Sequence, residues 1–185
     1  MTRPNRQFTI SARGKAAAMP IQMFIAQHFS DIPVGQIDSF FGFTTEKSTL
    51  YGGRLYGGTE LSAYDLKSMY KMGIGLRLPL TNHEATPEEY EANLPMLEKH
   101  HRPGNSIILT NDDLARWIRR DFPEYRLEAS VIKNIDSLAK IDRVAGLYDS
   151  IILPMSANQD EAFLASIEHK DQITLFANAG CALTC

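Results

Sequence analysis

The feature that most constrains this chain is its alternation between short apolar or β-branched runs and longer segments with helical spacing. Strand-like runs fall at residues 7–12, 36–41, 74–80, 106–110, 126–131, 150–153 and 173–177. Helical spacing covers 16–29, 62–71, 87–101, 112–121, 135–147 and 160–167. Strict alternation of this kind marks parallel β/α folds, because a parallel strand pair needs a crossover element between its members. Several runs, such as Ser106-Ile107-Ile108-Leu109, are continuously apolar, which suits strands covered on both faces. Strand ends recur at about the length of one short βα unit, so the pattern predicts repeating units of the TIM-barrel type. Seven strands are one unit short of closure. The expected fold is an incomplete β/α barrel, a single domain over residues 1–185, read as the N-terminal part of a longer protein. Its open edge calls for a dimer partner or a further segment to cover it.

At 185 residues such a domain buries roughly 70% of the surface its unfolded chain exposes, enough for a core without staples. No apolar run approaches the roughly 20 residues of a membrane span, and no apolar stretch follows Met1-Thr2-Arg3-Pro4, so neither a membrane anchor nor a secretory leader is expected. That reading puts the protein in the cytoplasm. The net charge of -3 and the absence of a long basic run provide no general DNA-binding signature.

Helix starts are written clearly. Thr86, Pro87 and Glu89 form a capping-box pattern with proline at the first helical position, and Glu88 and Glu89 favour the positive end of the helix dipole. Pro20 fits a first turn better than a helix interior.

Chemistry in parallel β/α folds gathers beyond the carboxyl ends of the strands. That rule selects Thr81, Asn82, His83 and Glu84 after the third strand, Asn111, Asp112 and Asp113 after the fourth, and Lys133 and Asn134 after the fifth. Ser156 and Asn158 follow the sixth strand and Asn178 the seventh. The repeated asparagines either hold polar substrate groups or cap the next helix; capping is the stronger reading for Asn111, Asn134 and Asn158. His83 is the acid/base candidate, since histidine titrates near neutrality and this one directly follows a strand with Glu84 beside it. Asp112 and Asp113 read as first-turn helix residues before they read as metal ligands. Lys133 is an anion-binding candidate, whereas His100 and His101 suit a helix C-terminus and a structural role. Trp117 shares a helical face with Leu114 and Ile118 and is assigned to packing.

Tyr51-Gly52-Gly53-Arg54, echoed by Tyr56-Gly57-Gly58, allows close backbone approach to a ligand, and Arg54 can hold a carboxylate or phosphate with two donors. Neither the Walker nor the dinucleotide fingerprint is matched. Cys181-Ala182-Leu183-Thr184-Cys185 places two thiols three residues apart, a partial ligand set for an iron-sulfur or zinc site. A protease would need an activated nucleophile, for which Ser156, Cys181 and His83 are the rim candidates.

Taken in order, several of these segments resemble the collagenase-like peptidase family U-32, over roughly residues 35–185. They are Tyr51-Gly52-Gly53-Arg54 after an early strand, the helix at 62–73, the strand and helix at 105–115, and Leu175-Phe176-Ala177-Asn178-Ala179-Gly180-Cys181. The resemblance implies a TIM-barrel-type domain and a role for Cys181 as a cluster ligand. It also implies an iron-sulfur-associated modification of the hydroxylation type, on an RNA or a small aromatic substrate, with peptidase activity as the family label. A non-catalytic domain that binds small anions or serves assembly is the alternative. On the modification reading, His83 and Arg54 lie near the substrate, with Asn82, Asn111, Lys133 and Asn178 around it.

Overall fold

The computed structural model describes residues 8–52 and 60–177. Seven parallel strands form one sheet in strict chain order. They are β1 (Phe8–Ser11), β2 (Ile37–Phe41), β3 (Gly75–Leu80), β4 (Ser106–Leu109), β5 (Arg126–Ala129), β6 (Ser150–Ile152) and β7 (Ile173–Thr174). Each neighbouring pair is parallel. The helices are α1 (Ile21–His28), α2 (Ala63–Lys71), α3 (Pro87–Ala92), α4 (Leu94–His100), α5 (Asp112–Asp121), α6 (Leu138–Ala145) and α7 (Glu161–Ser166). The result is an open, curled β/α sheet of incomplete-barrel type, with β1 and β7 at its two extremes as the alternation predicts. No helix of the described residues is long and apolar enough to cross a membrane.

The core lies between the outer face of the sheet and the helices. Ile10, Phe40, Leu76, Leu78, Leu80, Ile107, Leu109, Leu127 and Ile151 point outward and join Phe24, Met69, Leu97, Leu114, Ile118 and Val144 in one buried cluster. The opposite face obeys another rule. Ile108 and Ile152 are buried yet stand apart from that cluster. Strand parity and register place Thr9, Ser39, Arg77, Ser106, Glu128, Ser150 and Thr174 with them on the inner face. There six polar side chains meet in three pairs. The Thr9 and Ser39 hydroxyls lie 2.9 Å apart, those of Ser150 and Thr174 2.8 Å apart, and Arg77 donates to Glu128 across β4. Gly75 opens β3 where the Gly104 carbonyl approaches so closely that a Cβ has no room.

Local starts follow their caps. Ser62 and Asp65 form a capping box at α2, and Thr86 with Glu89 forms the expected one at α3, with Pro87 in place. Asn111 caps α5 through Oδ1, which accepts from the Asp113 and Leu114 amides at 2.8 and 3.0 Å. Trp117 is half-buried, tilted against the Tyr90 ring and packed on the core, as assigned.

Three helix expectations need correction. The segment 87–101 is two helices, because Pro95 cannot donate a backbone hydrogen bond; the chain breaks at Asn93, which ends α3 and begins α4. The first helix starts at Ile21, with Pro20 outside it at the cap position. The sixth starts at Leu138 behind Ser137, so Asn134 caps no α-helix and sits in the left-handed region at φ 48°.

Candidate functional site

The 3-10 turn Thr49–Tyr51 lies against the segment that leaves β3, and backbone hydrogen bonds fix the two together. Asn82 donates its amide N–H to the Leu50 carbonyl at 3.0 Å, and Thr81 Oγ1 donates to the Tyr51 carbonyl at 3.3 Å. Gly52 follows the turn at φ 75°, where a Cβ would stand 2.8 Å from the Thr81 carbonyl oxygen. Only glycine permits both the left-handed backbone and this approach. The glycine pair flagged in the sequence therefore has a fold-level reason at its first member; Gly53 and Arg54 lie outside the described residues.

Beyond this seam opens a cleft of about 430 Å³, lined by Thr49, Gly52, Thr81, Asn82, His83, Glu84 and Glu89. It lies at the carboxyl end of β3, where the fold places ligand chemistry. Several of its polar groups are committed to structure. Asn82 Nδ2 donates to the Thr49 carbonyl at 3.2 Å and to Glu89 Oε2 at 3.3 Å, while Asn82 Oδ1 accepts from the Glu84 amide at 2.9 Å. Glu89 also accepts from the Thr86 amide at 3.1 Å as part of its capping box. Asn111 Nδ2 donates to the His83 carbonyl at 3.0 Å, so the cap of α5 also holds the wall of the cleft. The His83 imidazole and the Glu84 carboxylate are exposed and make no hydrogen bond among the described residues. Among the described residues they are the cleft's polar side chains without a hydrogen bond.

A second cluster stands at the ends of β4 and β5. Lys133 Nζ donates to Asp112 Oδ1 at 2.8 Å and to the Thr110 carbonyl at 3.0 Å, and Tyr148 OH donates to the same Asp112 oxygen at 2.6 Å. Burial raises the Asp112 pKa, but the Lys133 and Tyr148 hydrogen bonds outweigh it and hold the carboxyl below its ordinary value. Burial first and Asp112 second push the Tyr148 phenol well above its ordinary range. Asp112 is thereby an ionised clasp between elements, and the Lys133 ammonium is already neutralised. Asp113 pairs on the surface with Arg116.

The sequence candidates thus divide. Asn82, His83 and Glu84 share one cleft with Asn111 braced against it; Lys133 belongs to the neighbouring clasp. Asn158 is not a cap, since its Nδ2 donates to the Phe176 carbonyl at 2.6 Å while Asp160 caps α7. Ser156 is exposed in the 3-10 turn Met155–Gln159. No serine or threonine hydroxyl is hydrogen-bonded to a histidine ring among the described residues; His100 faces Glu46 and His101 accepts from the Glu124 amide. Arg54, Asn178, Cys181 and Cys185 lie outside the described residues. Sequence reasoning missed Thr49 and Tyr148, which carry no motif, and the second role of Glu89. It also missed the Arg77–Glu128 pair, although charged residues inside apolar strand runs were a usable signal.

No protein-family model and no curated protein matches the chain. A solved structure of a U32 peptidase does, with a TM-score of 0.58 and 14% sequence identity over 80% of this chain. The match spans 62% of that structure's length. At this identity the likeness is one of backbone architecture. The chain is similar in fold to a U32 peptidase.

Proposed function

We propose that this chain is the barrel portion of an enzyme that binds a small polar substrate in the cleft after β3, with His83 as its general acid–base group and Glu84 beside it. The observation that carries this reading is an imidazole and a carboxylate, His83 and Glu84, that have no partner among the described residues and line one 430 Å³ cleft whose other polar groups are engaged in hydrogen bonds. A fixed wall with one free proton carrier suits proton transfer to or from a bound substrate. The likeness to a U32 peptidase supports an enzymatic use of the barrel, and peptide hydrolysis, with His83 taking the proton of an attacking water, is one reaction the cleft accommodates.

An iron-sulfur-associated modification rests on Cys181 and Cys185 alone. Clusters usually take four protein ligands. Cys181 and Cys185 would supply two of these ligands. Anaerobic reconstitution with iron and sulfide, compared with the Cys181→Ala chain, tests the ligand role; equal iron content in both removes it.

The cleft reading is tested by incubating the purified chain with small-molecule and peptide mixtures and following depletion by mass spectrometry. The expected outcome is a consumed substrate whose turnover falls about 10²- to 10⁴-fold in His83→Ala, with an unchanged melting temperature. Turnover that survives both His83→Ala and Glu84→Gln rejects the assignment. Binding without turnover supports a small-anion-binding domain instead.

A further inference from the structure

The outer surface between α2 and α4 carries a second, open groove of about 490 Å³, with no lining residue in common with the cleft. Its floor is apolar, formed by Leu66 and the ring of Tyr70, and its rim is cationic, formed by Lys67, Lys71, Lys99 and Arg102. The groove runs along α2 from Ala63 to Lys71 and meets the C-terminal end of α4 at Lys99 and His100, whereas the cleft lies beyond the carboxyl end of β3.

The charges are unusual in two respects. First, this is a chain of net charge -3, and nine of its lysines and arginines pair with carboxylates. Seven do not among the described residues, and three of these, Lys67, Lys71 and Arg102, converge on one groove. The helix dipole accounts for Lys71 in the last turn of α2 and for Arg102 just past α4, but not for Lys67, one turn earlier. Second, the Arg102 guanidinium lies 3.9 Å over the Tyr70 ring, and Asn105 donates to the Tyr70 hydroxyl at 3.0 Å. The stack holds a planar cation at the groove wall, and Arg102 forms no ion pair among the described residues. Lys99 is already paired with Glu46, so the cations left over for a partner are Lys67, Lys71 and Arg102.

We infer that this groove docks an acidic, amphipathic protein segment, whose carboxylates meet Lys67, Lys71 and Arg102 while an apolar side chain covers Leu66 and Tyr70. Charge complementarity selects an anionic partner, and the net negative charge elsewhere steers it to this face. The apolar floor selects a peptide over a free phosphate, which has nothing to bury there.

The test is fluorescence anisotropy of the full chain with a labelled peptide of about twelve residues, glutamate-rich with leucine at helical spacing. Saturable binding that weakens with salt is expected, reduced about tenfold or more in the Lys67→Glu/Lys71→Glu chain. That chain is expected to gain affinity for the lysine-for-glutamate version of the peptide. Both substituted residues are exposed, and the melting temperature reports whether the fold is kept; Arg102→Ala gives an independent reading of the same groove. The inference is overturned by absence of binding at low salt, by affinity unchanged in the charge-reversed and Arg102→Ala chains, or by equal affinity for polyglutamate without leucine. Tighter binding of single-stranded RNA of the same charge also overturns it and assigns the groove to nucleic acid.

Discussion

Lys15 and Asp65 form an ion pair 3.2 Å long in which the ammonium side chain is fully withdrawn from water and the carboxylate is 2% exposed. Asp65 does more than neutralise. It accepts from the Ile21 amide at 2.8 Å and from the Ser62 amide and hydroxyl at 3.0 and 2.8 Å, so the starts of α1 and α2 share one carboxylate. Lys15 in turn donates to the Ala16 and Met19 carbonyls. Burial raises the Asp65 pKa, and the hydrogen bonds from Ser62, Ile21 and Lys15 more than reverse this, leaving it below the ordinary value. Asp65→Ala strands a buried ammonium and three donors, and a loss of about 3–5 kcal/mol in urea unfolding is expected. Because the folded pKa is depressed, the carboxylate's contribution is present above about pH 4 and lost as pH falls through the folded value.

Glu46 anchors a second pH-dependent group. Burial raises its pKa, but hydrogen bonds from Lys99, Thr44 and His100 hold the carboxyl down at about 2. Burial depresses the His100 imidazole below its ordinary value against the upward pull of Glu46. Both shifts make the folded state bind fewer protons than the unfolded chain. Stability is therefore expected to fall from about pH 6.5 as unfolded histidine takes up a proton, and again from about pH 4.3 toward 2 as Glu46 does. In Glu46→Gln the second window vanishes and the His100 titration moves further down. An NMR titration of the His100 ring checks the second effect; an upward move contradicts it.

Arg77 and Glu128 are both buried on the inner face, and Arg77 Nε has no partner among the described residues. Removing one charge is expected to cost about 3–5 kcal/mol, as Glu128→Ala leaves a guanidinium in a dry strand layer. Arg77→Met with Glu128→Leu is expected to cost much less than either single change. Denaturation midpoints of the three chains decide this, and an additive double loss contradicts it.

Gly52→Ala addresses the seam of the cleft. A Cβ there meets the Thr81 carbonyl while φ is 75°, so a loss above about 1 kcal/mol is expected, with weakened ligand binding at His83. Wild-type stability for this variant would show that the seam is not tight.

The order of strands was legible because each is a short apolar run between helical segments, and parallel pairing admits few arrangements of such a list. Helix starts were legible where a side chain caps them, as at Thr86 and Asn111. Pro95 is the instructive miss: helical spacing runs through it, but the missing donor splits the element at Asn93. Asn134 and Asn158 show a second limit, since asparagine serves left-handed turns and carbonyl bonding as readily as caps. His83 was legible as a group at a strand end, but its freedom was not, because it depends on Asn82 and Asn111 being engaged elsewhere. Tyr148 and the Arg77–Glu128 pair required register between strands distant in sequence.

The two faces of the sheet store information differently. Outside, leucines, isoleucines and phenylalanines contribute volume to a shared layer, so one apolar residue can replace another with modest adjustment by many neighbours. Inside, a hydroxyl or a charge has meaning only through one counterpart on another strand. The outer layer can therefore drift residue by residue while the backbone course persists, whereas the three polar pairs of the inner layer change at least cost by paired replacement. Divergence in such a chain erases recognisable sequence well before it erases architecture, and the surviving correlations should lie between strands, on the concave side.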